Sequence, residues 1–263
     1  MPSNEQPVAL TIAGSDSGGG AGIQADLLTF AAHDVFGTTA ITCLTAQNPD
    51  GVTAVEALPA AFVREQIAQV HRYFHLGALK TGMLYSAEII AVVADFLRGQ
   101  RAIPAVIDPV MIATSGAALL QADALAALRD RLLPIAAVVT PNLDEVAALL
   151  GERPETPAAM AAAGRSLART HGVPFLVKGG HLAGDDLTDV LATPDGAIQT
   201  FAGPRIAGVD THGSGCTLSA AIAANLAKGF PLQAAVVAAR AYLQRCMQPG
   251  LALGGRRFIK HLP

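Results

Sequence analysis

Between Asp210 and Thr217 the chain reads Asp-Thr-His-Gly-Ser-Gly-Cys-Thr and then continues as a long apolar segment. A helix opening here leaves the backbone N–H groups of Gly213, Ser214, Gly215 and Cys216 without intrahelical acceptors, which makes the turn a seat for an anion. Cys216 falls in the first turn, where the helix dipole is expected to lower the thiol pKa and suit it to accept a proton. A second stretch, Gly14 to Gly22, holds five glycines in nine residues between a strand and a helix. Its backbone can approach a ligand closely. It matches neither a dinucleotide fingerprint nor a P-loop, because the glycine spacing differs and no Gly-Lys-Ser/Thr follows. Asp108 ends a strand ahead of Pro109, and residues 140–145 bring Asn142, Asp144 and Glu145 to the next strand end. Two acidic segments so placed suit Mg2+, which takes few carboxylates and fills its shell with phosphate oxygens and water. Asn142 or Asp144 serves equally well as a helix cap. Lys178 leaves an apolar strand before Gly179 and Gly180, where it can meet a phosphate or snorkel to the surface. Asp26 shares a helix face with Ile23 and Phe30, and a carboxylate on an apolar face needs a partner.

The elements that position these residues alternate along the chain. Strand patterns run over residues 8–13, 39–45, 77–80, 105–107, 135–139 and 175–178, with two short ones near 189–192 and 197–201. Helical spacing runs over 21–34, 59–74, 86–98, 123–133, 142–150, 156–171, 213–228 and 232–247. In the second of these helices Phe62, Ile67 and Val70 form the expected apolar stripe. Residues 47–58 carry Asn-Pro-Asp-Gly and then alternate, which predicts a hairpin-like excursion. Repeated strand–helix alternation predicts an α/β fold around a mostly parallel sheet, with ligands beyond the carboxyl ends of the strands. No linker divides the 263 residues, so a single domain is expected.

Composition narrows the function. Hydrophobic residues make up 51% and charged residues 15%, so the chain can bury a large core and is not disordered. The net charge of -3 and the scattered basic residues argue against a nucleic-acid partner. No apolar run is long enough to span a membrane, and no basic residue precedes the first apolar run as in a secretory signal. Three cysteines without framework spacing predict reduced thiols and a cytoplasmic protein. His71 and His75 lack a third ligand for a metal site. No Gly-x-Ser-x-Gly elbow supports a hydrolase, and the glycine spacing does not fit the fingerprint of a dehydrogenase.

Taken in order, residues 13–26, 45–48, 108–111, 140–142, 178–181 and 211–219 resemble the hydroxymethylpyrimidine/phosphomethylpyrimidine kinases of thiamine biosynthesis, within the ribokinase superfamily. The resemblance spans residues 8 to about 247, and its most specific parts are Gly-Ser-Asp-Ser-Gly-Gly-Gly-Ala-Gly-Ile-Gln-Ala-Asp and Thr-His-Gly-Ser-Gly-Cys-Thr. It implies a ribokinase-like, doubly wound α/β domain with helices on both faces of the sheet, a small β flap, and a homodimer. It implies ATP-dependent phosphorylation of a hydroxymethylpyrimidine and of its monophosphate, with Mg2+. By the same resemblance Gln47 and Asp26 meet the polar edge of the pyrimidine, and Gly14, Met83 and Val110 line its pocket. Asp108 and Glu145 lie near Mg2+, Asn142, Lys178 and Thr211 near the phosphates. Gly213, Ser214, Gly215 and Cys216 form the anion hole. Most sugar kinases of the superfamily carry an aspartate base where this chain has Cys216. Pyridoxal or pyridoxine kinase is the alternative activity, and a non-catalytic pyrimidine-binding regulator the alternative class.

Overall fold

The structure, a computed structural model, describes residues 5–111, 119–121, 123–180, 182, 186–248 and 250–262. Val8–Asp16 (β1) leads through Gly22–Ala32 (α1) to Phe36–Asn48 (β2) and Gly51–Ala57 (β3). Ala60–Tyr73 (α2), Leu76–Thr81 (β4), Ala87–Gly99 (α3), Ala105–Ile107 (β5) and the single turn Ala124–Ala127 (α4) follow. Next come Val138–Val139 (β6), Leu143–Leu150 (α5), Pro157–His171 (α6), Phe175–Val177 (β7), Asp186–Ala192 (β8) and Ile198–Pro204 (β9). Ser214–Ala227 (α7), Leu232–Met247 (α8) and a hairpin of Leu251–Leu253 (β10) with Arg256–Phe258 (β11) complete it.

Nine strands form one sheet in the order β3-β2-β1-β4-β5-β6-β7-β8-β9. From β2 to β7 all neighbours are parallel, while β3 closes one edge and β8 and β9 the other in antiparallel fashion. The parallel strands are apolar on both faces because both are covered. Leu10, Ile12, Leu79, Ile107, Val139 and Val177 pack under α2, α3, α4, α5 and α6. Their alternates Ala9, Ala78, Val106, Val138 and Leu176 pack under α1, α7 and α8. The chain leaves β1 toward the β3 edge and returns to β4 on the other side of β1, so the crossover direction reverses between β1 and β4. That reversal is where open α/β sheets place their ligands.

Three local expectations change. Residues 123–133 are not one helix: α4 passes into a π turn over Leu128–Leu132 and a 3-10 turn over Leu133–Ile135, where Pro134 has no N–H to continue an α-helix. Phe62 is exposed, and the buried stripe of α2 runs through Val63 and Ile67 instead. The β10–β11 hairpin was not foreseen. Among the described residues no helix is long and apolar enough to cross a membrane. Cys43, Cys216 and Cys246 are free thiols.

At the reversal point Thr11 of β1 and Lys80 of β4 are paired in register, and both reach Asp26 of α1. The Lys80 ammonium lies 2.9 and 2.8 Å from the two carboxylate oxygens, and the Thr11 hydroxyl donates to one of them at 2.6 Å. Both charged side chains are wholly enclosed. Burial lowers the Lys80 pKa, but the surrounding anionic groups, Asp26 foremost, together hold it above the ordinary lysine value. Breaking such a pair strands one buried charge. Lys80→Met should therefore cost about 3–5 kcal/mol of stability. The double variant Asp26→Leu/Lys80→Met should lose less than either single change. Urea denaturation followed by circular dichroism measures this; losses that simply add would show the two residues to be uncoupled.

Candidate active site

A cavity of about 260 Å³ opens at the carboxyl ends of the parallel strands, against the first turn of α7. Gly14, Gln47, Met83, Asp108, Val110, Asn142, Glu145, Lys178, Thr211 and Gly213 through Cys216 all line it. Asp26 does not, and the expectation that it meets a pyrimidine edge does not fit its surroundings, because its oxygens are taken by Lys80 and Thr11. Lys80, which the sequence reading passed over, lines the cavity in its place. His181, at the end of one of the family-like segments, lies outside the described residues.

The polar wall follows from strand alternation. Lys80, Asp108, Thr140 and Lys178 each stand two residues beyond Ala78, Val106, Val138 and Leu176, the side chains facing α7. Continuing the period of two aims them at the start of that helix. Asp108 is their hub. One of its oxygens accepts from Lys178 at 2.8 Å and Thr140 at 3.2 Å, and the other accepts from Ser219 of α7 at 3.2 Å. Burial would raise the Asp108 pKa, but the ammonium groups of Lys178 and Lys80 bring it below the usual carboxylate value. Lys178 in turn is held above the ordinary lysine value, with burial opposed by Asp108 and Glu145.

Gly213 takes φ +81° at the N-cap of α7, and a Cβ there would lie 1.9 Å from the Gly20 carbonyl oxygen, so only glycine fits. Of the four amides expected in the anion turn, that of Ser214 is spent on the Thr211 carbonyl at 3.0 Å. Gly215 and Cys216 hold the next two helix positions, whose amides have no intrahelical acceptor. A Cβ on Gly215 would come within 3.1 Å of Lys178 Nζ, so the turn and the ammonium meet.

The glycine loop after β1 behaves differently from the expectation of ligand contact through its amides. The Asp16 carboxylate accepts from the backbone of Gly18, Gly20 and Ala21 at 2.8, 3.1 and 2.8 Å, so the loop is folded around its own anion. His212 Nε2 lies 3.0 Å from Asp16 Oδ2 and 3.2 Å from Gln47 Nε2. Burial raises the Asp16 pKa, but His212 and the Gly18 and Ala21 amides lower it overall. Neither Asp16 nor His212 stood out in the sequence. Their signal was the polar pair flanking two glycine turns.

Cys216 reverses its expectation. Burial pushes its thiol up to about 11, against the lowering effect of Lys80 and of a hydrogen bond from the Gly22 amide. Desolvation outweighs the other influences on the sulfur, and the carboxylates of Asp26 and Asp108 add to the rise.

Asn142 caps α5: its side chain accepts from the Asp144 and Glu145 amides at 2.9 Å each, and Glu145 returns a bond from the Asn142 amide at 2.7 Å. The capping box draws Glu145 inward, where burial, with Asp108 repelling it and Lys178 opposing, raises its pKa to about 7. Among the described residues no cluster of three or more acidic, histidine or cysteine side chains could hold a metal by itself. Two buried carboxylates that disfavour each other's charge fit Mg2+ nonetheless, because it takes one or two carboxylates and completes its shell elsewhere. The far end of the cavity was not foreseen. Leu187, Ile206, Leu243 and Met247 make an apolar slot there, beside Arg240, which pairs with Asp189 at 2.7 Å and stands over the Phe201 ring. Asp189 also accepts the Gly179 amide at 2.9 Å, tying the slot to the strand end that carries Lys178.

The profile of the phosphomethylpyrimidine kinase family matches residues 16–260. A hydroxymethylpyrimidine/phosphomethylpyrimidine kinase of Rhizobium meliloti is 54% identical over 260 residues, 97% of this chain and 96% of the relative. The ADP complex of Bacillus subtilis pyridoxal kinase superposes with a TM-score of 0.90 at 35% identity over 98% of each chain. The Staphylococcus aureus pyridoxal kinase bound to AMP-PCP and pyridoxal superposes at 0.88 with 30% identity, over 98% of this chain and 94% of that one.

The raised thiol pKa has a direct consequence. In the protein without nucleotide, iodoacetamide should label Cys216 at pH 7.5 at least about 10-fold more slowly than a free thiol of pKa ~8.5. The rate should keep climbing toward pH 11. Peptide mass spectrometry separates Cys216 from Cys43 and Cys246. A labelling midpoint below that of a free thiol would mean that the helix terminus and Lys80 outweigh burial after all.

Proposed function

The chain belongs to the phosphomethylpyrimidine kinase family, and from that premise we propose that it phosphorylates a hydroxymethylpyrimidine and then its monophosphate, with ATP as donor, in thiamine biosynthesis. The observation that carries this reading is the meeting, on one cavity, of the α7 first-turn amides with the Lys178–Asp108 pair. These are the parts phosphoryl transfer needs, since it depends on positioning and charge stabilisation more than on covalent chemistry. ATP-analogue complexes of similar kinases support the choice of donor.

The pyrimidine lies at the β1–β4 end, against Gly14, Met83 and Val110, with its polar edge on Gln47. A side-chain amide both donates and accepts, as an aminopyrimidine edge requires. Space there is set by glycine: a Cβ on Gly14 would meet Cys43 Sγ at 2.7 Å. The nucleotide lies toward the apolar slot, with Asn142, Lys178 and Thr211 near its phosphates. Asp108 and Glu145 would hold Mg2+, which supplies charge neutralisation on phosphate oxygens when bound. The hydroxymethyl oxygen forms a bond to the γ-phosphorus as the bond from that phosphorus to the β-phosphate oxygen breaks. Negative charge gathering on the transferred group falls on the Gly215 and Cys216 amides and on Lys178. The hydroxymethyl proton passes to an oxygen of the transferred phosphoryl group, and Cys216, kept as the neutral thiol by burial, contributes its backbone amide to the turn. The reading extends to a homodimer, supported by the apolar ring cluster of Phe36, Phe74 and Tyr73, of which Phe36 and Tyr73 are exposed. Phosphorylation of a pyridine alcohol is the second reading, favoured by the fold likeness to pyridoxal kinases.

An ADP-release assay run in parallel with hydroxymethylpyrimidine, its monophosphate and pyridoxine tests both readings. Turnover confined to pyridoxine would overturn the first. Two variants assign the ends of the cavity. Gln47→Ala should weaken pyrimidine affinity roughly 10- to 100-fold and leave ATP affinity nearly unchanged, because a buried polar group left unpaired costs about 1–3 kcal/mol. Lys178→Ala should instead lower kcat at nearly constant pyrimidine KM. Equal loss of both affinities in Gln47→Ala, or an unchanged kcat in Lys178→Ala, would reverse the assignment.

A further inference from the structure

The segment after α8 crosses back over the molecule and touches elements that border the candidate site at three points. Arg256 pairs with Asp50 at the tip of the β2–β3 hairpin at 2.8 Å, an exposed contact worth little by itself. The Arg257 carbonyl accepts the Asp210 amide at 2.7 Å, just ahead of the anion turn, and Asp210 Oδ1 accepts the His212 amide at 2.9 Å. His261 goes deepest. Its ring is buried, and Nε2 lies 3.0 Å from the hydroxyl oxygen of Thr217, a wholly enclosed residue in the first turn of α7. The backbone on either side of the ring is anchored to α8. The His261 carbonyl accepts the Tyr242 hydroxyl at 2.5 Å, and the Lys260 amide donates to the Cys246 carbonyl at 2.9 Å.

Thr217 has one hydroxyl proton, and its oxygen lies 2.9 Å from the Gly213 carbonyl. With that proton directed at the carbonyl, the oxygen accepts from the His261 tautomer that carries its proton on Nε2. The Gly213 carbonyl also receives the Thr217 amide at 2.8 Å. A relay of hydrogen bonds thus runs from the His261 ring through Thr217 to the carbonyl of the one residue in the turn with positive φ, each bond polarising the next. That carbonyl is the dipole whose rotation toward the cavity would set an acceptor against incoming phosphate oxygens.

We infer that His261 is a positioning residue for phosphoryl transfer, holding the Gly213 carbonyl away from the cavity through Thr217 so that the Gly215 and Cys216 amides stay aimed into it. The inference rests on the kinase reading given above. His261→Leu removes the donor and keeps bulk. His261→Gln returns an N–H near the Nε2 position. Thr217→Val removes the hydroxyl with little change of shape. His261→Leu and Thr217→Val should each lower kcat about 3- to 10-fold, the effect of losing one buried hydrogen bond. Pyrimidine KM should stay within about twofold, since the relay does not touch that end of the cavity. His261→Gln should recover kcat to within about twofold of the unaltered protein, and the double Leu/Val variant should lose no more than the worse single, because both cut one path. Hydrogen exchange read by NMR without nucleotide should speed up at the Thr217 amide on the order of 10-fold and stay constant at Ala223 and Ala224. An unchanged kcat in His261→Leu, a KM that moves in step with kcat, or no rescue by glutamine overturns the inference. Should His261→Leu fail to fold, Thr217→Val decides the same question. Should the unaltered protein phosphorylate no pyrimidine alcohol, the kinase reading fails separately, and constant exchange at Thr217 in both variants overturns the positioning role on its own.

Discussion

A lysine ammonium enclosed away from water must keep an anion within hydrogen-bond reach, and among the described residues Lys80 has Asp26 for that purpose. Because the two residues come from β4 and α1, and Thr11 of β1 joins them, the pair fastens three elements at the point where the sheet reverses direction. The glycine loop between β1 and α1 then has little freedom in its path. It turns tightly enough that its amides converge on Asp16, and Gly20 comes against the Gly213 turn. The start of α7 is therefore located in part by a buried charge pair. Buried ion pairs are poor contributors to net stability. The value of this one is geometric.

Three cations that line the cavity each have a carboxylate partner. Lys80 has Asp26, Lys178 has Asp108, and Arg240 has Asp189. The arrangement avoids bare charge in a dry pocket. Lys178 spends one of its three N–H donors on Asp108, which leaves the others available to a further anion. The Asp26–Lys80 pair is wholly enclosed, with Lys80 acting on Cys216. Glu145 stands between these extremes. Drawn in by the Asn142 capping box and repelled by Asp108, it sits near its titration midpoint at neutral pH, so a modest change in the charge facing it is enough to move its proton.

What could be read from the sequence was whatever is local. The strand ends carrying Asp108, Asn142 and Lys178 followed from periodicity and turn residues, and these side chains do line one cavity. Asp26 was legible halfway: its helical face demanded a partner, but the partner is set by the register between β1 and β4, which no local pattern encodes. The glycine loop announced an anion and supplied that anion itself, through Asp16. For Cys216 the helix terminus was visible and the desolvating wall was not, because that wall is assembled from residues far apart in the chain. Phe62 lost its place in the core by one position, since the stripe of α2 follows Val63 and Ile67. The far slot was invisible for the same reason as the Lys80 pairing, being built between β8, β9 and α8.

The two ends of the cavity impose opposite demands on one turn. On the reading proposed above, recognition of a flat ring needs close apolar walls and a fixed amide, and Gly14, Met83 and Gln47 line the cavity where these would be supplied. Charge transfer needs donors that do not reorganise while the bond is made. Residues 213–217 satisfy the second demand because their freedom is removed from three sides. Gly20 blocks any side chain at 213, Thr211 takes the Ser214 amide, and Thr217 ties down the Gly213 carbonyl. The remaining amides point where the backbone forces them.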